Sequence, residues 1–155
     1  MVKIHIFTEA LRTTGLGHLG RCTALGEILQ EIGNHVFIVL DTDGTNLGGV
    51  SDIPTIFLNW KDQNLLQDYI EKENIRIAIV DSYLANERVY QTMFGLVEKL
   101  ICIDDNNRLN YPDGAIILNP GFGGNYLDYN RKENKILTGV EFVLLRKPFR
   151  EKFNY

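Results

Sequence analysis

A glycine-rich run near the amino terminus contains the residues whose types and spacing best fit chemistry. Residues 15–22 read Gly-Leu-Gly-His-Leu-Gly-Arg-Cys and follow the first hydrophobic segment. Glycine lets a backbone adopt positive φ and approach a ligand closely, and the first turn of a helix offers unpaired N–H groups to polar ligands. We therefore interpret this run as a loop entering a helix that directs His18 towards a substrate.

The same run satisfies the dinucleotide-binding pattern G-x-G-x-x-G, and Asp41 follows about 20 residues later. In the dinucleotide fold, however, a strand leads almost directly into the first glycine. Here the hydrophobic segment ends at Phe7, and residues 8–14 intervene. The imidazole of His18 would also crowd a bound pyrophosphate. We therefore predict neither NAD nor any other cofactor.

Length and charge indicate one domain with a small-molecule partner. The chain has 155 residues, 45% of them hydrophobic, which suffices for one core but not for two ordinary domains. The net charge of −4, without a dense cluster of basic residues, argues against a nucleic-acid or anionic-membrane partner.

The sequence features that bear on cellular location favour the cytoplasm. No apolar stretch approaches the roughly 18 residues needed to span a bilayer, and Met1 leads directly into a predicted strand rather than a signal peptide. Cys22 and Cys102 lack the spacing of metal or redox sites, so we interpret both as buried apolar residues.

Hydrophobic segments and helical patterns alternate along the chain. Continuous apolar character predicts buried parallel strands at residues 2–7, 36–40, 55–58, 75–80, 99–103 and 115–118. Amphipathic spacing predicts helices at residues 19–32, 62–73 and 86–96, the first of them capped by Gly33. Right-handed crossovers then give an α/β, Rossmann-like parallel sheet with helices on both faces.

Polar loops follow three of these strands, at residues 81–83, 104–108 and 119–124. The carboxyl ends of parallel strands share one edge of the sheet, so these loops and the His18 loop should lie together. An edge rich in histidine, tyrosine, aspartate and asparagine suits a polyhydroxylated ligand, which needs many directional polar contacts.

Landmarks spread over nearly the whole chain resemble one enzyme family. They are Gly15-x-Gly17-His18-x-x-Arg21-Cys22, Asp81-x-Tyr83, Asp104-Asp105, Leu118-Asn119, Gly139 and Leu144-Leu145-Arg146-x-x-Phe149. They are similar to those of the UDP-sugar hydrolase of pseudaminic acid biosynthesis and of related spore-coat polysaccharide proteins. That family resembles GT-B glycosyltransferases such as the N-acetylglucosaminyl transferase of peptidoglycan lipid synthesis.

The resemblance implies that residues 1–155 form one half of a GT-B-like fold. In GT-B enzymes two Rossmann-like domains face each other; the second holds the nucleotide, and the first faces the sugar. Because the chain ends at Tyr155, we expect the C-terminal nucleotide-binding domain to be absent. The chain would then be a cloned domain, a natural fragment or half of a split enzyme, with little activity alone.

The resemblance also implies roles for two residues. His18 would be the general base that activates water for attack on the anomeric carbon of a UDP-sugar. The positive end of a helix dipole disfavours imidazolium, which fits a neutral imidazole that accepts a proton near pH 7. The alternative is a capping or loop histidine. Tyr83 would hydrogen-bond the water or a sugar oxygen, or would be an amphipathic edge residue.

Other polar positions have both functional and structural interpretations. Asp81 and Asp105 could orient His18 or bind sugar groups, but strand-end aspartates also cap helices and form turns. Arg21 could contact a phosphate or pair with a nearby aspartate. We also predict that Asn119 binds substrate.

The remaining candidates are glycines, histidines and an acidic motif. Gly15 and Gly17 are predicted to shape the substrate loop, although a tight loop needs glycine without a ligand too. Residues 41–43 form an Asp-Thr-Asp motif that resembles a nucleotide-metal site, but we interpret it as part of a turn and predict no metal. His5 and His35 are expected to be structural.

Three functions remain open from the sequence. The leading hypothesis is the N-terminal catalytic half of a hydrolase that releases UDP, with inversion, from a UDP-activated diacetamido-trideoxy sugar in nonulosonic acid, spore-coat or other surface polysaccharide biosynthesis. A GT-B glycosyltransferase domain would use a hydroxyl acceptor in place of water. A non-catalytic sugar-nucleotide-binding subunit is the third.

Overall fold

A seven-stranded parallel sheet forms the centre of the protein in a computed structural model, which describes residues 1–44, 47 and 52–151. Its strands are β1 (Lys3–Ala10), β2 (His35–Thr42), β3 (Thr55–Phe57), β4 (Ile77–Asp81), β5 (Lys99–Ile103), β6 (Ile116–Asn119) and β7 (Lys135–Thr138). Their order is β3-β2-β1-β4-β5-β6-β7, with every pair parallel. This extends the Rossmann order by one strand and confirms the predicted fold class.

The order of the strands reverses between β1 and β4. In register, Thr8 of β1 lies beside Asp81, the last residue of β4. In open α/β sheets, ligands bind beyond the carboxyl ends of the strands at such a reversal. The loops that leave β1 and β4 therefore border the expected ligand position.

Helices cover both faces of the sheet. Helix α1 (Gly17–Glu31) packs Leu19 and Cys22 against Ile4 and Ile6 of β1. On the opposite face lie α2 (Gln63–Glu73) and α3 (Glu87–Leu96), with Phe7 of β1 in their cluster. The short helix α4 (Lys147–Arg150) contacts α1.

Local sequence signals set the ends of the helices. The Asp62 side chain accepts hydrogen bonds from the backbone N–H groups of Asn64 and Leu65, and Asn86 caps α3 in a similar way. Gly33 follows α1 with φ +90°, the left-handed conformation that glycine adopts without strain. The predicted starts of α2 and α3 were therefore one residue early, at the capping residues themselves.

Two boundary corrections change the geometry around His18. Strand β1 continues to Ala10 rather than ending at Phe7, because pairing with β2 and β4 extends it through polar Thr8 and Glu9. Only residues 11–14 then separate the strand from Gly15, so the loop is shorter than the argument against NAD assumed. Helix α1 begins at Gly17 instead of residue 19, which places His18 in its first turn.

Other boundaries were also wrong. Strand β2 runs from His35 to Thr42, so Asp41 and Thr42 lie in a strand rather than a turn. Strand β4 includes Asp81, and β6 includes Asn119. The short strand β7 and helix α4 were not predicted. Tyr155, where we expected the domain to end, lies outside the described residues.

None of the helices among the described residues is both long and apolar enough to cross a bilayer.

Neighbouring leucines on α2 provide a test of the helix orientation. Leu66 is 0% exposed within the core, whereas Leu65 is 45% exposed. Leu66→Ala should lower the free energy of unfolding by about 2–5 kcal/mol, because it leaves a cavity, whereas Leu65→Ala should change it by less than about 0.5 kcal/mol. Urea denaturation measures both, and equal effects would contradict the orientation.

Candidate functional site

A cavity of about 260 Å³ opens at the reversal between β1 and β4. Its lining residues are Thr14, Gly17, His18, Arg21, Tyr83 and Asp105. They come from the β1–α1 loop, the first turns of α1, and the loops after β4 and β5. Five of these six residues were predicted as site residues; Thr14, whose signal was a polar side chain beside Gly15, was missed.

His18 is held in one orientation by Asp81. Its Nδ1 lies 2.8 Å from Asp81 Oδ1, and the residue is only 5% exposed. A carboxylate accepts hydrogen bonds, so Nδ1 carries the proton and donates a hydrogen bond to Asp81. No described residue makes a hydrogen bond to Nε2, and this nitrogen is then the atom with a free lone pair. His18 therefore has the arrangement of a general base.

Arg21 bridges Asp81 and Asp105 with both edges of its guanidinium. Nε and Nη2 donate to Asp81 at 2.5 and 2.7 Å, and Nη1 and Nη2 donate to Asp105 at 2.6 and 3.0 Å. Burial opposes the charge of Arg21, but the hydrogen bonds to both carboxylates raise its pKa. Of the two interpretations of Arg21 that the sequence allowed, a phosphate contact or an ion pair with an aspartate, the structure shows the ion pair. With two carboxylates and one guanidinium, the group has a net negative charge.

Tyr83 connects this group to the imidazole. Its hydroxyl donates to Asp105 Oδ2 at 2.7 Å, and its ring meets the His18 ring edge-on, with centroids 4.3 Å apart. The hydrogen bond to Asp105 raises the pKa of the phenol, with a smaller contribution from burial. Burial disfavours the charge on Asp105, but the hydrogen bonds from Arg21 and Tyr83 outweigh burial and lower the pKa of its carboxyl group.

The neighbouring carboxylates at the end of β5 have different partners. Asp104 is buried and accepts hydrogen bonds from the hydroxyls of Tyr111 and Tyr129, at 2.7 and 2.5 Å. It also accepts from the backbone N–H groups of residues 106–108. Asp104 therefore stabilises the loop, while Asp105 faces the cavity.

The structure places Asn119 away from the cavity lining. Its amide nitrogen donates to the Asp105 carbonyl at 3.2 Å and to the Tyr129 hydroxyl at 2.9 Å. Its oxygen accepts from the backbone N–H of Gly121 at 2.8 Å, and the residue is 0% exposed. These contacts support the position of Asp105 and give no support to the prediction that Asn119 binds substrate.

The two predicted loop glycines have different conformations. Gly15 has φ +70° and pairs with Leu11 in an isolated antiparallel bridge, so its backbone conformation requires glycine. Gly17 is the first residue of α1 and lines the cavity. The loop before His18 is therefore a tight turn, closed by the pairing of Gly15 with Leu11.

Other polar candidates lie outside the cavity. The Asp41 carboxylate contacts the Lys61 ammonium, and Asp43 accepts from the Arg12 backbone N–H at 3.1 Å. His5 is buried and stacks on Phe37; burial, with the nearby charge of Lys3, lowers its pKa to about 4. This location agrees with the structural interpretation of His5.

The two cysteines are buried free thiols, and His35 is exposed at the start of β2. Burial is the main reason that the pKa values of Cys22 and Cys102 are raised well above the ordinary value. Their location agrees with the apolar interpretation, although the Cys22 thiol also approaches Asp81 Oδ2 at 3.6 Å. Within residues 1–44, 47 and 52–151, no group of three or more histidines, cysteines or carboxylates could hold a metal ion.

Glu9 is a buried polar residue that the sequence analysis missed. It lies in β1 and is 0% exposed. The only signal in the sequence was a carboxylate near the end of an apolar strand, which we assigned to a loop. Its carboxylate oxygens contact Lys61 and the residues that follow β4.

Comparison with models of known protein families gave no match, and a search of curated proteins also found none.

Asp105→Asn tests the contact between Tyr83 and Asp105. The pKa of Tyr83 should fall towards 10.0, its ordinary value, because the carboxylate no longer stabilises the protonated phenol. Spectrophotometric titration with Tyr83→Phe as the reference isolates this tyrosine from the other six. An unchanged Tyr83 titration in Asp105→Asn would show that the hydrogen bond does not form in solution.

Proposed function

We propose that the chain is the catalytic-histidine half of a sugar-nucleotide hydrolase that releases UDP from a UDP-activated diacetamido-trideoxy sugar. The observation that carries this proposal is the His18–Asp81 pair, in which Asp81 orients the imidazole through Nδ1 and no described residue bonds to Nε2. A histidine held in this way by a carboxylate suits general-base catalysis. The family resemblance of residues 15–22 adds the substrate class.

In the proposed reaction, His18 Nε2 accepts a proton from water as the water oxygen bonds to the anomeric carbon. The bond between that carbon and the diphosphate oxygen breaks, and its electron pair leaves with UDP. Attack opposite the leaving group inverts the anomeric centre. Tyr83, whose ring lies against His18, is placed to contact the water or a sugar oxygen.

Asp81 would stabilise the imidazolium that forms when His18 accepts the proton. Its Oδ1 already accepts from Nδ1, so no rearrangement is needed during the reaction. Arg21 holds the same carboxylate in a bidentate contact and prevents it from rotating away. Arg21 therefore acts here through Asp81 rather than on a phosphate.

The charge of the cavity supports a separate site for the diphosphate. Arg21 is the one cationic side chain among its described lining residues, and both of its edges are paired with carboxylates. The first turn of α1 has no side-chain cap and offers backbone N–H groups at this cavity, but the charge of a diphosphate also needs cations that are not already paired. We propose that a nucleotide-binding domain or subunit supplies them, while this cavity faces the uncharged sugar.

His18→Asn tests the proposal against His35→Asn, a matched change at an exposed histidine. Turnover should fall at least about 100-fold in His18→Asn and stay unchanged in His35→Asn, because only His18 supplies the base. UDP release from the diacetamido-trideoxy UDP-sugar is measured for the chain alone and with a nucleotide-binding domain added. UDP binding should be the same in both variants.

The products of the same assay separate the alternatives. Free inverted sugar with UDP supports hydrolysis, whereas a glycosylated acceptor would identify a transferase. Binding without turnover in either arm would favour a non-catalytic subunit. Near-normal turnover by His18→Asn would rule out the assigned base.

A further inference from the structure

The loop between β4 and α3 holds Tyr83 beside His18, yet it has no regular secondary structure. Residues 82–86 follow the last residue of β4 and precede Glu87, the first residue of α3. Backbone N–H groups in such a segment need partners from elsewhere when they are shielded from water. Glu9 provides these partners from the neighbouring strand.

Both carboxylate oxygens of Glu9 accept hydrogen bonds. Oε1 accepts from the backbone N–H groups of Tyr83 and Leu84, at 3.0 and 3.3 Å. Oε2 accepts from the Ser82 hydroxyl at 2.6 Å and from the Lys61 ammonium at 3.4 Å. Three of the four donors therefore belong to the three residues that follow β4.

Ser82 extends the effect of Glu9 along the loop. While its hydroxyl donates to Glu9, its oxygen accepts from the backbone N–H groups of Leu84 and Ala85, at 3.1 and 2.9 Å. The N–H groups of residues 83–85 are thus all satisfied by Glu9, by Ser82 or by both. The path of the backbone through Tyr83 is therefore held at its N–H groups by Glu9 and Ser82, and at the carbonyls of Ser82 and Ala85 by Arg108, at 3.0 and 2.9 Å.

The Tyr83 side chain has little packing of its own to fix its position. It is 47% exposed, and its polar contact is the hydroxyl bond to Asp105. A half-exposed ring has few contacts that limit its rotamers, so its position also depends on where the backbone holds its Cα atom. The distance between Tyr83 and His18 therefore depends on the backbone position that Glu9 helps to set, together with the contacts of the ring with His18 and Asp105.

We propose that Glu9 is a positioning residue that sets Tyr83 against His18, a role that rests on the proposed function for its catalytic meaning. Lys61 contributes by balancing the buried charge, since its ammonium contacts both Glu9 and Asp41. Trp60 keeps the Lys61 segment on β1 through its indole N–H, which donates to the Thr8 carbonyl at 2.8 Å. Glu9 thus acts on the imidazole through Tyr83 and touches no reacting atom.

A double-mutant cycle measured by NMR tests this role without any substrate. The imidazole Cε1–H signal of His18 is compared in the wild type, Glu9→Gln, Tyr83→Ala and the double variant. Glu9→Gln is nearly isosteric and keeps one oxygen as an acceptor. Glu98→Gln changes an exposed glutamate paired with Arg76 and is the matched control. His5, in β1 with Glu9, reports any general distortion of that strand.

We expect Glu9→Gln to shift the His18 signal while leaving the His5 signal in place. The shift should disappear when Tyr83 is already alanine, because Glu9 acts through that side chain. A His18 signal that does not move, or that moves equally with and without Tyr83, would overturn the proposal. If Glu9→Gln does not fold, Ser82→Ala removes one of the four donors and permits the same comparison.

The catalytic consequence is measured separately. If UDP-sugar hydrolysis is observed for the wild type, Glu9→Gln should lower kcat roughly tenfold with little change in KM, since misplacement of a reacting group affects the chemical step. Unchanged kcat in an active protein would also contradict the role. Failure of hydrolysis by the wild type with a nucleotide-binding domain added would refute the proposed function but not the positioning role, because the NMR cycle decides the positioning of Tyr83 by itself.

Discussion

The Arg21 guanidinium between Asp81 and Asp105 is the interaction on which the rest of the site depends. Two carboxylates at the ends of neighbouring strands repel each other, and the bidentate contacts of Arg21 remove that repulsion. The arginine lies on α1, so one side chain joins a helix to β4 and β5. The Asp81 carboxylate is buried while Arg21 and Asp105 are partly exposed, so removal of Arg21 leaves its largest cost at Asp81, where a buried charge loses its partner. The same contact holds Asp81 where it can accept the His18 proton.

Two other carboxylates satisfy the backbone of the loops at this edge of the sheet. Glu9 accepts hydrogen bonds from backbone N–H groups of the loop after β4, and Asp104 accepts them from the loop after β5. Neither lines the cavity. The site therefore consists of groups that line the cavity, from the buried His18 to the half-exposed Tyr83, and of buried carboxylates that hold those groups in place. This arrangement explains why polar residues cluster here on an otherwise apolar sheet.

Much of the fold and part of the site could be predicted from residue patterns. Continuous apolar segments located six of the seven strands, and Asp62 and Asn86 marked the starts of two helices through local hydrogen bonds. The errors fell where neighbouring strands override local preference. Glu9 looked like a loop residue because its partners are more than 50 positions away in sequence. Asn119, which we predicted to bind substrate, has hydrogen-bonding partners in Asp105, Gly121 and Tyr129, which the fold places around its buried amide.

The sequence by itself determined the α/β alternation, the tight turn at Gly15 and the position of His18 beside a helix start. These features depend on contacts within a few residues, which local composition records. Only the tertiary structure decided that Asp81 orients the imidazole, that Arg21 is committed to two carboxylates, and that Glu9 holds the Tyr83 loop. Each of these depends on which strands become neighbours in the sheet, and side-chain charges acquire their partners only when that order is established.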